Sequence, residues 1–209
     1  MISFSEINKD NTLIYYGGSF NPPHIAHIMM VSQLSAYFPK AQIWIAPTYL
    51  HAFDKKLIDF DLRMEMLKRC LGDRANVTIS AIERDICLEE GCHKSYTIDV
   101  VRRLKKQNPD KRICIVVGAD IIPTLPQWYC YGELIQLATF LFFPRQGYDN
   151  SQCLNVPFLP EVSSTEIREM MATGHDPERL HGLVPAVVLE MIQWEEGTNA
   201  INSIKKKSP

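Results

Sequence analysis

The sequence predicts an α/β fold, a doubly wound parallel sheet in one domain, and three observations carry that expectation. Short apolar runs alternate with segments of helical periodicity along most of the 209 residues, the pattern of repeated β-α units. The run Arg112-Ile-Cys-Ile-Val-Val117 is uninterruptedly apolar after its first residue, as a central parallel strand covered on both faces must be. The first apolar run ends in Gly17-Gly18 and passes into a helical segment, a βα turn at the edge where such sheets collect ligands.

Taken in order, Leu13-Ile-Tyr-Tyr16 reads as a buried strand. A helix follows, with Asn21 as its cap, Pro22 or Pro23 in its first turn, and Ile25, Ile28, Met29, Leu34 and Tyr37 at helical spacing. Ile43-Trp-Ile-Ala46 is the second strand, closed by Pro47, and Asp59 or Asp61 opens a helix bearing Leu62, Met66, Leu67 and Leu71. Val77-Thr-Ile79 is a third strand, followed by a long acidic loop and a helix from about Ser95 to Lys106. After Arg112–Val117 come the strand Thr139-Phe-Leu-Phe-Phe143 and a short edge strand at Val156-Pro-Phe158, placed at the edge because proline cannot donate to an inner ladder. Helices from about Ser164 to Met171 and from Pro185 to Trp194 close a domain spanning 1–196, and residues 197–209, with Lys205-Lys-Lys207, form a tail expected to be mobile.

Composition narrows the function. An apolar fraction of 46% with 22% charged residues is ordinary globular usage. A formal charge of -2 offers no broad positive field, so nucleic acid and acidic membranes are not expected as partners. No apolar run reaches the roughly 18 residues of a membrane span, and Met1 to Asp10 is too polar for a signal peptide, so a cytoplasmic chain is expected. In a reducing cytosol the 6 cysteines read as thiols rather than disulfides; Cys87, Cys92 and His93 could seed a zinc site, but no fourth ligand stands at a usual spacing.

Two motifs carry chemistry. In Gly17-Gly-Ser-Phe-Asn-Pro-Pro-His-Ile-Ala-His27, Gly17, Gly18, Ser19 and Phe20 form a loop whose backbone N–H groups can approach a phosphate. His24 and His27, three apart, share a helical face and can reach the same anion. In Ser163-Ser-Thr-Glu-Ile-Arg168, Ser163 and Glu166 match a capping box, while Ser164, Thr165 and the forked cation of Arg168 suit phosphate. The two readings of that helix start are compatible.

Together these resemble the nucleotidyltransferase superfamily, whose members carry an HxGH motif after the first strand and an SSTxIR motif near the C-terminus; here they stand as His24-Ile-Ala-His27 and Ser163–Arg168. Within it the chain most resembles the nicotinate or nicotinamide mononucleotide adenylyltransferases, on Gly17–His24, Ser95-Tyr-Thr-Ile-Asp99, Gly118-Ala-Asp120 followed by Trp128, and Pro144-Arg-Gln-Gly147. The resemblance implies a Rossmann-like nucleotidyltransferase fold and transfer of the adenylyl group of ATP to a pyridine mononucleotide, with Mg²⁺ carried on the ATP phosphates and no metal held by the protein. It assigns ATP binding to Gly17, Gly18, Ser19, Phe20, His24, His27, Gly118, Asp120, Ser164, Thr165 and Arg168, with His24, His27 and Arg168 catalytic. Lys55, Arg63, Thr97, Asp120, Trp128 and Arg145 fall to the mononucleotide.

Simpler roles stand beside several of these assignments. Asp120 and Ser95–Thr97 can be helix caps, Trp128 can be core, Arg145 can form an exposed salt bridge, and Lys55 and Arg63 can be solvated surface. The sequence departs from the family pattern at Ala26, where HxGH has glycine and a methyl group would meet the nucleotide, and at Pro47–Lys55, which lacks a PPHK-like run and leaves nicotinate against nicotinamide open. Two alternatives follow: another transferase of the superfamily, such as one acting on phosphopantetheine, or a nucleotide-binding regulator without turnover. Oligomeric state is not legible.

Overall fold

The computed structural model describes residues 4–50, 57–173 and 177–192. Lys55, the end of the helix expected to reach Trp194, and the tail 197–209 lie outside the described residues. Strands β1 (Thr12–Gly18), β2 (Gln42–Pro47), β3 (Val77–Ile79), β4 (Arg112–Gly118) and β5 (Thr139–Phe143) form one parallel sheet in the order β3-β2-β1-β4-β5. Ile14 pairs with Ile43 on one side and Cys114 on the other. The chain winds outward from β1 to β3 and then returns past β1 to β4, so the switch point lies between the carboxyl ends of β1 and β4.

Helices cover both faces: α1 (Phe4–Ile7), α2 (Ile25–Tyr37), α3 (Phe60–Leu71), α4 (Ile82–Glu90), α5 (Thr97–Gln107), a 3-10 helix (Ala119–Gln127), α6 (Tyr131–Leu137), α7 (Ser164–Thr173), α8 (Pro177–Leu183) and α9 over 186–192. The alternation of β4 divides the core. Cys114 and Val116 join Met30 and Leu34 of α2, Met66 and Leu67 of α3, Ile167 of α7 and Val188 of α9. Ile113, Ile115 and Val117 join Ile86 of α4, Ile98, Val101 and Leu104 of α5 and Leu134 of α6. Both faces of the strand are therefore dry, which is why its sequence is apolar throughout.

Several expectations are corrected. β1 runs through Gly17 and Gly18, and the turn comes after them, with Phe20 at φ 44 and a cis bond between Asn21 and Pro22. Asn21 does not cap α2, and neither proline lies inside it: His24 is the N-cap, while Asn21 Oδ1 accepts the Ile58 N–H at 2.8 Å. Part of the acidic stretch after β3 is a helix, α4, whose short apolar stripe buries Ile82, Ile86 and Cys87. Val156–Phe158 is not a strand; the Leu154 N–H donates to Phe142 O of β5, but no ladder follows, and Phe158 is exposed. Cys87 and Cys92 form a disulfide instead of remaining thiols or holding zinc. Gly91, at φ 65 in the left-handed region, turns the chain back at the end of α4, so that Cys92 N–H donates to Cys87 O and the two Cα atoms lie 4.7 Å apart. The other four cysteines are free.

Candidate active site

At the carboxyl end of β1 the two histidines stack, ring centroids 3.6 Å apart. The His24 backbone N–H donates to His27 Nδ1 at 3.2 Å, which makes Nδ1 the acceptor and leaves the proton of the neutral ring on Nε2. The Phe20 ring, buried despite its left-handed backbone, meets His27 edge-on at 4.8 Å and Tyr16 at 5.4 Å. That packing holds a conformation a bulky residue adopts only at a cost. A Cβ on Gly17 would come within 2.5 Å of the Tyr15 hydroxyl, so glycine is required there by close approach and not by a positive φ.

The second motif docks directly on this turn. Ser164 Oγ donates to Pro22 O at 3.0 Å, and Arg168 Nη1 donates to Asn21 O at 2.8 Å. Arg168 Nη2 reaches Thr165 Oγ1 at 3.1 Å. Half of the expected capping box forms, with Ser163 Oγ accepting the Glu166 N–H, while the Glu166 carboxylate pairs with Arg179. A cationic fork, a hydroxyl pair and two imidazoles from opposite ends of the chain thus share one corner.

Across the switch point, Asp120 opens the 3-10 helix after β4 and Arg145 follows β5; Asp120 Oδ1 and Arg145 Nε face each other at 3.5 Å. Both atoms are buried without a hydrogen bond, as is His24 Nδ1. Buried orphans are uncommon in folded proteins, and a cluster of them suits a site completed by a polar ligand. A Cβ on Gly118 would strike the Asp120 carboxylate, so a larger residue there would displace that carboxylate from its place opposite Arg145. Trp128 caps the 3-10 helix, half-buried and edge-on to Phe140 at 6.3 Å. Its neighbour Tyr129, 57% exposed, packs on Tyr96 at 4.7 Å and so brings residues 128–129 beside Thr97, the first residue of α5.

Arg63 departs from its expected place. It is 1% exposed, its Nη1 donating to Ser19 O and its Nε to Ile58 O, both at 2.9 Å. With Nε and Nη1 turned to backbone carbonyls it braces the loop after β1 from behind.

Burial and, secondarily, the Arg145 guanidinium push the His24 pKa down to about 4. Burial, His24 and Arg145 hold His27 well below the usual histidine range. Both rings are neutral donors at neutral pH. The unfolded chain takes up a proton near pH 6.5 that folded His24 refuses until about pH 4, so the contribution of this group is intact above 6.5 and lost as pH falls through that window. NMR titration of the ligand-free protein should find the His24 imidazole inflecting near pH 4; an inflection at the ordinary 6.5 would contradict this burial.

Comparison with known proteins agrees with this geometry. Residues 15–170 match the cytidylyltransferase-like family model. A probable nicotinate-nucleotide adenylyltransferase of Anaeromyxobacter dehalogenans (strain 2CP-1) is 34% identical over 177 residues, 85% of this chain and 91% of its own. The chain belongs to the nicotinate-nucleotide adenylyltransferase family. A second member, from Halalkalibacterium halodurans, is 34% identical over 202 residues, 92% of this chain and 93% of its own. A solved structure described as Plasmodium falciparum nicotinic acid mononucleotide adenylyltransferase complexed with NaAD shares the fold, with a TM-score of 0.75 at 18% identity over 88% of this chain and 96% of that one.

Seen as an adenylyltransferase of this family, the chain accommodates Ala26 readily. Ala26 is 2% exposed and belongs to the apolar cluster that includes Met30, one turn on, so its methyl group is absorbed by the core. Residues that the sequence did not single out also frame the site: Tyr16 and Tyr129, Tyr49, whose ring is edge-on to Phe60 at 5.2 Å, and the buried Glu83. Among the described residues no helix is long and apolar enough to cross a membrane.

Proposed function

We propose that this chain transfers the adenylyl group of ATP to nicotinate mononucleotide, giving the deamido dinucleotide and pyrophosphate in the cytoplasm. The observation that carries the reading is the docking of Arg168 and Ser164 on the Asn21–Pro22 turn, which gathers the phosphate-binding groups of both motifs at one corner of the switch point. The mononucleotide phosphate oxygen attacks the α-phosphorus in line, the bond from that phosphorus to the β-bridging oxygen breaks, and pyrophosphate leaves with the electron pair. His27 donates from Nε2 to the transferring phosphate, His24 lies stacked beneath it, and Arg168 with Ser164 and Thr165 holds the departing phosphates. Gly17, Gly18, Ser19 and Phe20 form the wall against which ATP lies. Asp120, freed from its long contact with Arg145, accepts from ribose hydroxyls.

On the acceptor side, Trp128 offers a face to the pyridine ring and Thr97 lies near its substituent. Arg145 supplies the cation for the mononucleotide phosphate. Lys55 is kept in that set from its place in the sequence, whereas Arg63 acts through Ser19. Preference for nicotinate over nicotinamide is supported by the names of the 34% identical relatives. Among the described residues no three His, Cys, Asp or Glu side chains gather to hold an ion; Mg²⁺ carried on the ATP phosphates would supply charge neutralisation there, beside Arg168, Ser164 and Thr165. The test is pyrophosphate release with ATP and Mg²⁺, comparing nicotinate mononucleotide, nicotinamide mononucleotide and phosphopantetheine. Release with nicotinate mononucleotide at ten or more times the efficiency of the others is expected; ATP binding without release from either pyridine nucleotide would overturn the reading in favour of a non-catalytic nucleotide binder.

A further inference from the structure

Glu83 has no part in the chemistry above, yet it is a carboxyl group only 6% exposed beneath the acceptor side of the site. It lies in the first turn of α4, and its carboxyl gathers three segments. The Tyr15 hydroxyl of β1 donates to Oε1 at 2.8 Å. The Tyr49 backbone N–H, from the loop that follows β2, donates to Oε2 at 3.2 Å. The Ser95 hydroxyl, two residues before Thr97, lies near the same carboxyl and favours its charged form. Ser95 is tied in turn to the post-β2 loop, its Oγ accepting the Leu50 N–H at 3.2 Å and its own N–H donating to Leu50 O at 3.0 Å.

A buried carboxylate is costly unless its lone pairs are filled, and here the groups that favour its charge come from three separate pieces of chain. Nothing in the packing of α4 alone requires an acid at this position. We infer that Glu83 is a positioning residue for the mononucleotide site, its carboxylate holding the post-β2 loop and the start of α5 in register on β1. The inference rests on the reading that Thr97 borders the pyridine substituent. Around the carboxyl stand Tyr15 from β1, Tyr49 from the following loop, Ser95 before α5 and, through its charge, Arg63 from α3, while Lys94 and Asp99 line the same small cavity. Beyond Ser95 Oγ, at 3.5 Å, is Cys87 Sγ, which is disulfide-bonded and does not titrate.

Protonation would remove an acceptor from this set. Burial, opposed by the hydrogen bonds and by Arg63, leaves the Glu83 pKa at about 7, so the network is complete above neutrality and loosens below it. Glu83→Gln keeps the shape but sets an amide donor against one of the existing donors. Steady-state kinetics at pH 8 should show the KM for nicotinate mononucleotide raised about 10-fold or more in Glu83→Gln, with the KM for ATP and kcat within about 3-fold of the parent. The variant-to-parent ratio of that KM should shrink as pH falls to 6, because the parent then loses the same acceptor; taking the ratio cancels titration of the substrate phosphate. A variant with the parental mononucleotide KM at pH 8, or one in which both substrates suffer equally at every pH, overturns the inference and leaves Glu83 a merely structural acid. Should Glu83→Gln not fold, Ser95→Ala removes one arm of the network and carries the same test at pH 8, where an unchanged mononucleotide KM likewise overturns the inference. A parent inactive with pyridine mononucleotides removes the premise, an outcome seen before any variant is made.

Discussion

Alanine in place of His27 should lower kcat for pyrophosphate release by about 10²–10³ while the protein stays folded. The expected loss is large because the ring is set up before substrate arrives: its Nδ1 is held by the His24 backbone N–H and its Nε2 proton is free to donate. A neutral donor in a buried site gains strength as negative charge builds on the transferring phosphate, and it needs no reorganisation at that moment. Its stability cost should be modest, since the His27 ring meets Phe20 edge-on and Tyr16 only at 6.5 Å in a tilted arrangement. His27→Gln, whose amide nitrogen can overlay Nε2, should recover part of the rate. Turnover within a few fold of the parent in folded His27→Ala would remove this histidine from the mechanism.

The largest stability effect is expected at Arg63. Truncation to alanine leaves Ser19 O and Ile58 O buried without their donor and takes away the cation that faces Glu83, a combination expected to cost about 3–5 kcal/mol. In a chain of this size that lowers the melting midpoint by roughly 10 °C. Calorimetry checks it, and the outcome separates two roles: a residue that touched substrate phosphate from the surface would leave the midpoint within a degree and change only KM. Arg63→Lys should fall between the two, because an ammonium cannot serve both carbonyls with the fixed fork of a guanidinium.

What is legible in the sequence follows from one-dimensional patterns with strong physical causes. β4 can be read because a strand covered on both faces must be apolar throughout, and the two motifs that meet at the Asn21–Pro22 turn can be picked out because glycine, histidine and arginine occur there in a tight order. The differences arise where tertiary packing overrules residue type. Arg63 reads as a mononucleotide contact or as solvated surface because arginine is rarely buried, yet it occupies an inward position of α3 in line with Phe60, Met64, Leu67 and Leu71, the i, i+3, i+4 stripe on which an apolar residue is due. Glu83 does the same in α4, in line with Ile86 and Cys87. A charged residue inside an apolar stripe is the available signal in both cases. The 3-10 helix is hidden because Pro123 and Pro126 read as breakers, and the disulfide is hidden because nothing in a five-residue spacing announces the left-handed Gly91 that closes it.

The bonds from Arg168 to Asn21 and from Ser164 to Pro22 span 147 and 142 residues of chain. During synthesis, β1 and the His24–His27 pair that follows it are made early and must wait for nearly the whole domain before their partners on α7 exist. Closing so long a loop carries an entropic cost that only the completed packing of α7 against the sheet offsets. A partly made or clipped chain lacking α7 would lack the bonds that join the two motifs, so the corner at the Asn21–Pro22 turn is completed only when nearly the whole domain is made.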